Sequence, residues 1–523
     1  MDMSLYRFMA SKGSQGLARS PSRKRSYDAG GASRLTSTWT SIPVDADEIV
    51  RRNLRVLVAR SRQQVANNDY ARRFLQMVQD NVIGAQGVIL QVQAKRKNGA
   101  PDTPLNDAVE WAFWEWGRRG NCDVTGRLSW LSIQRLVVAT VAKDGEAVAL
   151  LRYGDMAGPW GFAIQLVDPQ RIPVEYDEES LPNGNIVRHG IEMTEYGRPV
   201  AYYFRTDDER AGYVKWTGHR YVRIPASQVI HVFVPEIVGQ KRGLPWMSTA
   251  LLRLHMIGGY EDAALVNARV SAAKMGWLKP SENAAGYGGD DMDTDIAIDA
   301  EPGTYEPIPD GYSDVIYPDY QYPNGEFGTF VKSCLRGVAA GLNVSYNTLA
   351  SDLEGVNYSS LRQGALDERE VWKGLQGWII EEFHQRVYEA WLTLALLKGN
   401  VVLRGRPVLA TEEVRLKYTE WQPRRWPWVD PIKDMAAKEK EIKTLLRSPG
   451  EIIRELGRDP EDVWSEIAQD IQGMRDKGIP ENMIQRVFQG GGGKVAASAK
   501  DTGASKGAEQ QEAESDGKST VSE

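Results

Sequence analysis

Five histidines, two cysteines and a run of aspartates are the side chains here that could carry acid–base, thiol or metal chemistry. The histidines are His189, His219, His231, His255 and His384. No two are four residues apart and none sits in a HExxH pattern, the spacing that puts two imidazoles and a general base on one helix face around zinc. No GxSxG elbow presents an activated serine. Cys122 and Cys334 form no CxxC pair, so both are expected to be buried or inert thiols in a cytosolic setting. Gly490 to Lys494 (GGGGK) has the composition of a phosphate loop. Its glycine spacing is wrong, however, Val495 stands where Ser or Thr is needed, and no strand precedes it. Asp290 to Asp295 (DDMDTD) has the acid density of a calcium loop, which needs Gly at its sixth position and Glu at its twelfth. Counting from Asp290, the twelfth residue is Glu301 but the sixth is Asp295. No catalytic set, metal site or cofactor is expected, and the chain reads as a non-enzyme.

The acids matter in another way. The 523 residues carry a formal charge of −6. From Pro280 to Val331 there is no Lys or Arg, and twelve acids, among them Asp290, Asp291, Asp293, Asp295, Asp299 and Glu301, make that segment −12. The rest of the chain is therefore +6. Mild overall acidity argues against a protein that grips DNA by a basic face. No run of 18 apolar residues exists, so no transmembrane helix is expected. The basic N-terminal stretch (Arg19, Arg23, Lys24, Arg25) lacks an apolar run after it and is not a secretory signal.

The elements that must position these residues read as α+β and mainly helical. Residues 1–43 form a disordered arm rich in Ser, Gly and Arg. A helical run starts near Asp45 and ends at Gly84, followed by a short strand, Val88 to Val92. Glu110 to Gly117 gathers Trp111, Phe113, Trp114 and Trp116, a cluster expected in the core. A helix from Leu128 to Lys143 precedes strands at Ala147 to Arg152, Ala163 to Val167, Gly190 to Met193, Val200 to Phe204 and Val229 to Val234. Met247 to Met275 reads as one helix and Phe327 to Ala340 as another, with the acidic segment between them. Leu361 to Leu397 keeps steps of three, four or seven over 37 residues, roughly 55 Å of helix. Asp430-Pro431, Ser448-Pro449 and Asp459-Pro460 each place a cap before a proline, starting helices near 431–447, 449–456 and 460–476. The tail, 489–523, is low in complexity and expected to be disordered.

Seven segments stand in a distinctive order: Asp69 to Gln91 (DYARRFLQMVQDNVIGAQGVILQ), Asn121 to Arg152, Ala163 to Ile172 (AIQLVDPQRI), Gly190 to Phe204, Ile224 to Pro245 (IPASQVIHVFVPEIVGQKRGLP), Arg336 to Leu366 and Trp421 to Asp434 (WQPRRWPWVDPIKD). By their order and spacing together, they resemble the lambda-type family of phage portal proteins. The resemblance spans about 69–465.

The resemblance implies a portal-protein fold assembled as a ring, usually of twelve subunits, at one capsid vertex of a virion. It implies double-stranded DNA passing through the channel without sequence preference, and contacts with the terminase large subunit, head-completion or adaptor proteins, and major capsid and scaffold proteins. It implies no membrane partner, and a host-cytoplasmic stage during assembly. The wing would be 44–245, a stem helix 246–276, an acidic clip 277–326, and a second stem helix 327–341. A tunnel loop, 342–360, would bring Asn343, Ser345, Asn347, Asp352 and Asn357 to the DNA. A long wing helix with following strands would be 361–430, and crown helices 431–488. The clip acids would either repel phosphate inside the channel or meet basic patches on terminase or adaptor. The loop residues serve equally well as turn and cap residues. A nucleic-acid-processing or hydrolytic α+β enzyme is the alternative from another class.

Overall fold

The computed structural model describes residues 38, 40, 42–206, 221–272, 277–280, 312–316, 325–355, 357–426, 431–456 and 458–488. The chain divides into two compact units, Met1–Arg424 and Arg425–Glu523. It is α+β and mainly helical, as expected.

In the first unit, α1 (Ala46–Asn67) starts on Asp45, whose carboxylate accepts the Glu48 N–H at 2.7 Å. Asp47 and Glu48 fill the first turn, where the helix end is positive. The single run expected from Asp45 to Gly84 is broken at Asn68. That residue is extended and caps α2 (Asp69–Val78) by accepting the Ala71 N–H at 3.1 Å. A short amide that caps the next helix competes with continuation of the previous one. A π turn, Gln79–Ile83, and Gly84 at φ 81° end α2.

β1 (Ile89–Val92) pairs antiparallel with the distant β13 (Thr419–Gln422). Between them in sequence, α3 (Thr103–Trp116) and α4 (Trp130–Asp144) carry half of an aromatic core. Phe113 meets Trp391 edge-on with ring centroids 5.0 Å apart, and Trp130 stacks on Phe383 at 5.5 Å. The core expected around EWAFWEWG is only half right. Phe113 and Trp116 are buried, whereas Trp111 and Trp114 are 65% and 56% exposed and stack on each other at 4.9 Å. A step of three keeps each pair on one helix face, and only one of those faces looks inward.

β2 (Glu146–Tyr153) is the centre of an antiparallel sheet, between β3 (Phe162–Val167) and β8 (Val229–Phe233). A second sheet runs β4 (Ile186–Arg188), β5 (Ile191–Met193), β6 (Pro199–Arg205), β7 (Tyr221–Pro225). β4 and β7 add to the expected strands; one is three residues long, and the other buries none of its side chains to mark it. Both sheets share a core of Val148, Leu150, Ile172, Ile191, Met193, Tyr202, Phe204 and Val229.

The helix expected from Met247 begins at Leu251, because the Pro245 carbonyl takes the Ser248 N–H in a turn; this is α5 (Leu251–Ala272). β9 (Trp277–Pro280) and β10 (Tyr312–Ile316) pair antiparallel at the base of the intervening segment. Then come α6 (Phe327–Gly341), α7 (Tyr346–Ala350), α8 (Tyr358–Ile379) and α9 (Arg386–Leu397). The long helix expected from Leu361 starts three residues earlier and carries a π turn, Ile380–Gln385, between α8 and α9. The inserted residue lets Phe383, His384, Val387 and Tyr388 all face inward. A hairpin of β11 (Val402–Leu403) and β12 (Arg406–Pro407), then α10 (Glu413–Leu416), leads to β13.

The second unit holds α11 (Pro431–Lys443), α12 (Pro449–Glu455), α13 (Pro460–Asp476) and α14 (Glu481–Phe488). Ser448 and Asp459 cap as expected, accepting the Glu451 and Glu461 N–H groups. α14 was not foreseen. No described helix is long and apolar enough to cross a membrane.

Candidate functional site

The segment from α6 to α8 holds five of the candidate residues, and helix-end chemistry fixes four of them. After α6, Asn343 takes φ 55°; its N–H bonds the Ala340 carbonyl at 3.2 Å, and Val344 N–H bonds that of Ala339 at 3.0 Å. This is a Schellman end, in which asparagine tolerates the left-handed conformation. Ser345 caps α7, its Oγ accepting the Thr348 N–H at 3.2 Å. Asn347 lies in α7 and lends its carbonyl to the Asp352 N–H at 3.2 Å. Asn357 caps α8 by accepting the Ser360 N–H at 2.8 Å.

Asp352 is the charged member. The Tyr346 hydroxyl donates to it at 2.8 Å, the Glu354 N–H at 3.0 Å, and Lys332 Nζ lies 3.1 Å away. The tyrosine bond first, then the backbone N–H and the ammonium, hold this carboxyl at about 2. Lys332 also reaches Glu354 at 3.0 Å. Thr348 Oγ1 donates to Glu368 of α8 at 3.3 Å, and the Arg336 guanidinium lies 5.6 Å from the Tyr346 ring centroid. Sequence reasoning missed Lys332, Tyr346, Arg336 and Glu368. Lys332 had a signal: it is the first cation after the base-free segment.

The clip candidates Asp290, Asp291, Asp293, Asp295, Asp299 and Glu301 lie outside the described residues. So do the tail and the arm up to residue 37. What the structure gives is the β9–β10 ribbon that closes 281–311 at its base.

The strongest electrostatic feature of the first unit is one no spacing suggested. Glu146 and Arg242 are both buried, with Arg242 Nε 2.8 and 3.0 Å from the two carboxylate oxygens. His231 Nε2 lies 2.9 Å from the same carboxylate, and the Gly243 N–H donates at 3.2 Å. Arg242 also donates to the carbonyls of Pro169, Ile172 and His189. Burial alone would raise the Glu146 carboxyl, but the guanidinium and the histidine bond outweigh it and hold the group at about 2. An acid beside a histidine has the makings of acid–base chemistry. This one is sealed from solvent with its oxygens occupied, so it acts as a clamp between the β2–β8 sheet and the loop after β8. Gly243 allows the fit: a Cβ there would lie 2.0 Å from the Gly145 carbonyl oxygen. Cys122 is likewise buried, and burial pushes its thiol up to about 12. A cleft of about 460 Å³ beside α1 and α4 is lined by Arg62, Asp144 and Asp168, and Arg62 bonds both acids at 2.8 Å.

The chain matches the family described as "Phage portal protein, lambda family" over residues 32–376. It is 35% identical over 485 residues to the "Probable portal protein" of Halomonas phage phiHAP-1, covering 91% of each chain. It is 22% identical to the portal protein of Escherichia phage N15, covering 87% of this chain and 91% of that one. Against portal protein B of Escherichia phage lambda the identity is 21%, over 87% and 90% of the two chains. Among solved structures, a chain in the neck of an empty GTA (gene transfer agent) particle matches with TM-score 0.42 at 14% identity, over 78% of this chain and 95% of that one. On the family match and the phiHAP-1 relative, this chain belongs to the lambda family of phage portal proteins.

Proposed function

We propose that copies of this chain close into a ring, twelve in the form usual for portals, at one vertex of the virion capsid. Double-stranded DNA passes through the channel in packaging and ejection. The ring docks the terminase large subunit and the head-completion or adaptor proteins, and contacts major capsid and scaffold proteins while it assembles in the host cytoplasm. The observation that supports a ring is an uncovered seam on α5. Leu252, Met256, Gly259, Ala263 and Val266 follow one another at steps of 4, 3, 4 and 3, and all are exposed. Leu252, Met256 and Val266 are 71%, 66% and 56% exposed. That is the a/d spacing of helices that pack on helices, and α6 covers only another face, through Tyr260 and Phe327 stacked at 5.3 Å. An identical neighbour supplies the missing partner.

On this reading Asn343, Ser345, Asn347, Asp352 and Asn357 line the tunnel loop and face the duplex without positive charge, so the loop adds no counterion-release affinity. Asp290, Asp291, Asp293, Asp295, Asp299 and Glu301 form the clip, where they repel phosphate in the channel. Native mass spectrometry tests the ring: twelve chains of 58.4 kDa give roughly 0.7 MDa. A stable monomer at micromolar concentration overturns it. Asn in place of Asp290, Asp291, Asp293 and Asp295 tests the repulsion: DNA passage slows and terminase binding holds. Loss of terminase binding with unchanged passage would mean that these acids are a docking face instead.

A further inference from the structure

The end of α11 is built against the usual preference. Thr444 is its cap, the Leu445 N–H bonds the Ile442 carbonyl at 3.0 Å, and the Leu446 N–H bonds that of Glu441 at 3.0 Å. This is a Schellman end whose left-handed position, normally glycine, is Leu445 at φ 59°. The residue after it normally packs on the residue three before the cap. Here that residue is Glu441, so Leu446 has no apolar partner in the motif. Leu445 is 91% exposed and Leu446 75%. The loop is held in place by its neighbours: Arg447 bonds Glu451 and Glu455, both at 2.9 Å, and Lys438 bonds Glu455 at 2.7 Å. Two leucines are thus presented to solvent at a strained backbone position, on an anchored turn.

The same unit has an apolar surface of opposite charge setting. Leu456 and Trp464 are 46% and 47% exposed. One side of the Trp464 ring rests on Gly450, where an added Cβ would lie 3.4 Å from it. Around it in sequence stand Asp459, Glu461, Asp462 and Glu466, with Arg458 paired to Glu466. Burial, with Asp459 and Glu466 nearby, raises the Asp462 carboxyl above its ordinary range. The last turn of α11 brings Lys440 and Lys443, both exposed, beside the leucines, with Lys443 in a solvent-exposed pair with Glu439.

We infer that Leu445 and Leu446 form a knob that seats on the Leu456–Trp464 patch of a second copy of this chain, with Lys440 and Lys443 facing Glu461 and Asp462. Within one protomer the two surfaces leave each other exposed. Between copies they form a head-to-tail contact, the type that closes a ring. The inference rests on the ring proposed above and adds where its C-terminal units join.

The test uses the full chain with Cys334→Ser. Leu446→Cys combined with Glu461→Cys should give, on oxidation, an intermolecular ladder on a non-reducing gel. Leu445→Gly with Leu446→Ser should leave the thermal midpoint of the protomer unchanged or higher, while the ring persists only at roughly tenfold higher protein concentration. Lys440→Glu with Lys443→Glu should weaken the ring similarly, and Glu461→Lys with Asp462→Lys should restore it. Wild-type rings with no ladder and no change in concentration dependence overturn the knob and leave the ring standing. Wild-type chains that never form a ring remove both.

Discussion

α6 and α11 end on the same backbone hydrogen bonds and part ways in their side chains. At α6 the left-handed residue is Asn343, and the next, Val344, is 9% exposed, close to the buried Ala339 of the last turn. At α11 the left-handed residue is Leu445, and Leu446 stands in solvent. One end is completed by its own chain and the other is left open. The charges divide in the same way. Glu146 and Arg242 are sealed inside the first unit, whereas Arg447 and its acids lie at the surface of the second. Identical backbone geometry can therefore serve closure in one place and presentation in another, and side-chain burial tells which. Defects at the closed sites should appear as unfolding of the protomer, and defects at the open one as failure to assemble.

The largest effect tests closure directly. Arg242→Met leaves Glu146 buried without its cation, and should cost about 3–5 kcal/mol of protomer stability, read by urea or thermal unfolding. Arg242→Met with Glu146→Gln should recover much of that, because the buried charge is then gone. A loss below about 1 kcal/mol for the single change would mean that water reaches the clamp, and the contrast with the surface network of α11–α12 would collapse.

The next effect depends on pH. His384 is fully buried in the π turn, with Nδ1 3.0 Å from the Ile379 carbonyl, and burial lowers it from 6.5 to about 4. Above pH 6.5 neither folded nor unfolded chain protonates it, and stability is complete. Between 6.5 and 4 the unfolded chain binds a proton that the fold refuses, so stability falls, by roughly 3 kcal/mol in all. Below 4 this contribution falls no further. His384→Phe, which keeps a ring among Trp130, Phe383 and Trp421, should flatten that part of the stability–pH curve. An unchanged slope would show that the ring is hydrated in the fold.

Much of this architecture was legible. Alternation marked β1, and Ser448-Pro449 and Asp459-Pro460 marked the starts of α12 and α13, because these signals are local. The family segments carried the rest of the order, and Gln-Lys-Arg-Gly (240–243) within them contains half of the clamp. What sequence could not reach were partners far along the chain. Glu146 and Arg242 are 96 residues apart, and no periodicity connects them. Nor could it divide EWAFWEWG, where two Trp/Phe pairs share one spacing and only packing decides which is inside. The break at Asn68 was within reach: an asparagine before an aspartate is a cap signal, obscured by the apolar period running through both sides. The loop residues Asn343, Ser345 and Asn357 were legible as caps, which is a structural role compatible with any ligand.

The smallest effect sets the two helix ends against each other. Asn343→Ala puts a residue without the local amide into the left-handed region, and should lose about 1 kcal/mol of protomer stability. Leu445→Gly removes a similar penalty, so it should gain up to about 1 kcal/mol, less what glycine's freedom returns to the unfolded chain. The signs are opposite although the hydrogen bonds are the same. Assembly should run the other way: Asn343→Ala rings form at the wild-type concentration, while removal of the Leu445 side chain weakens them. If Leu445→Gly instead unfolds the protomer more easily, Leu445 packs within its own chain. The open end would then be a closed one, and the comparison would fail at its sharpest point.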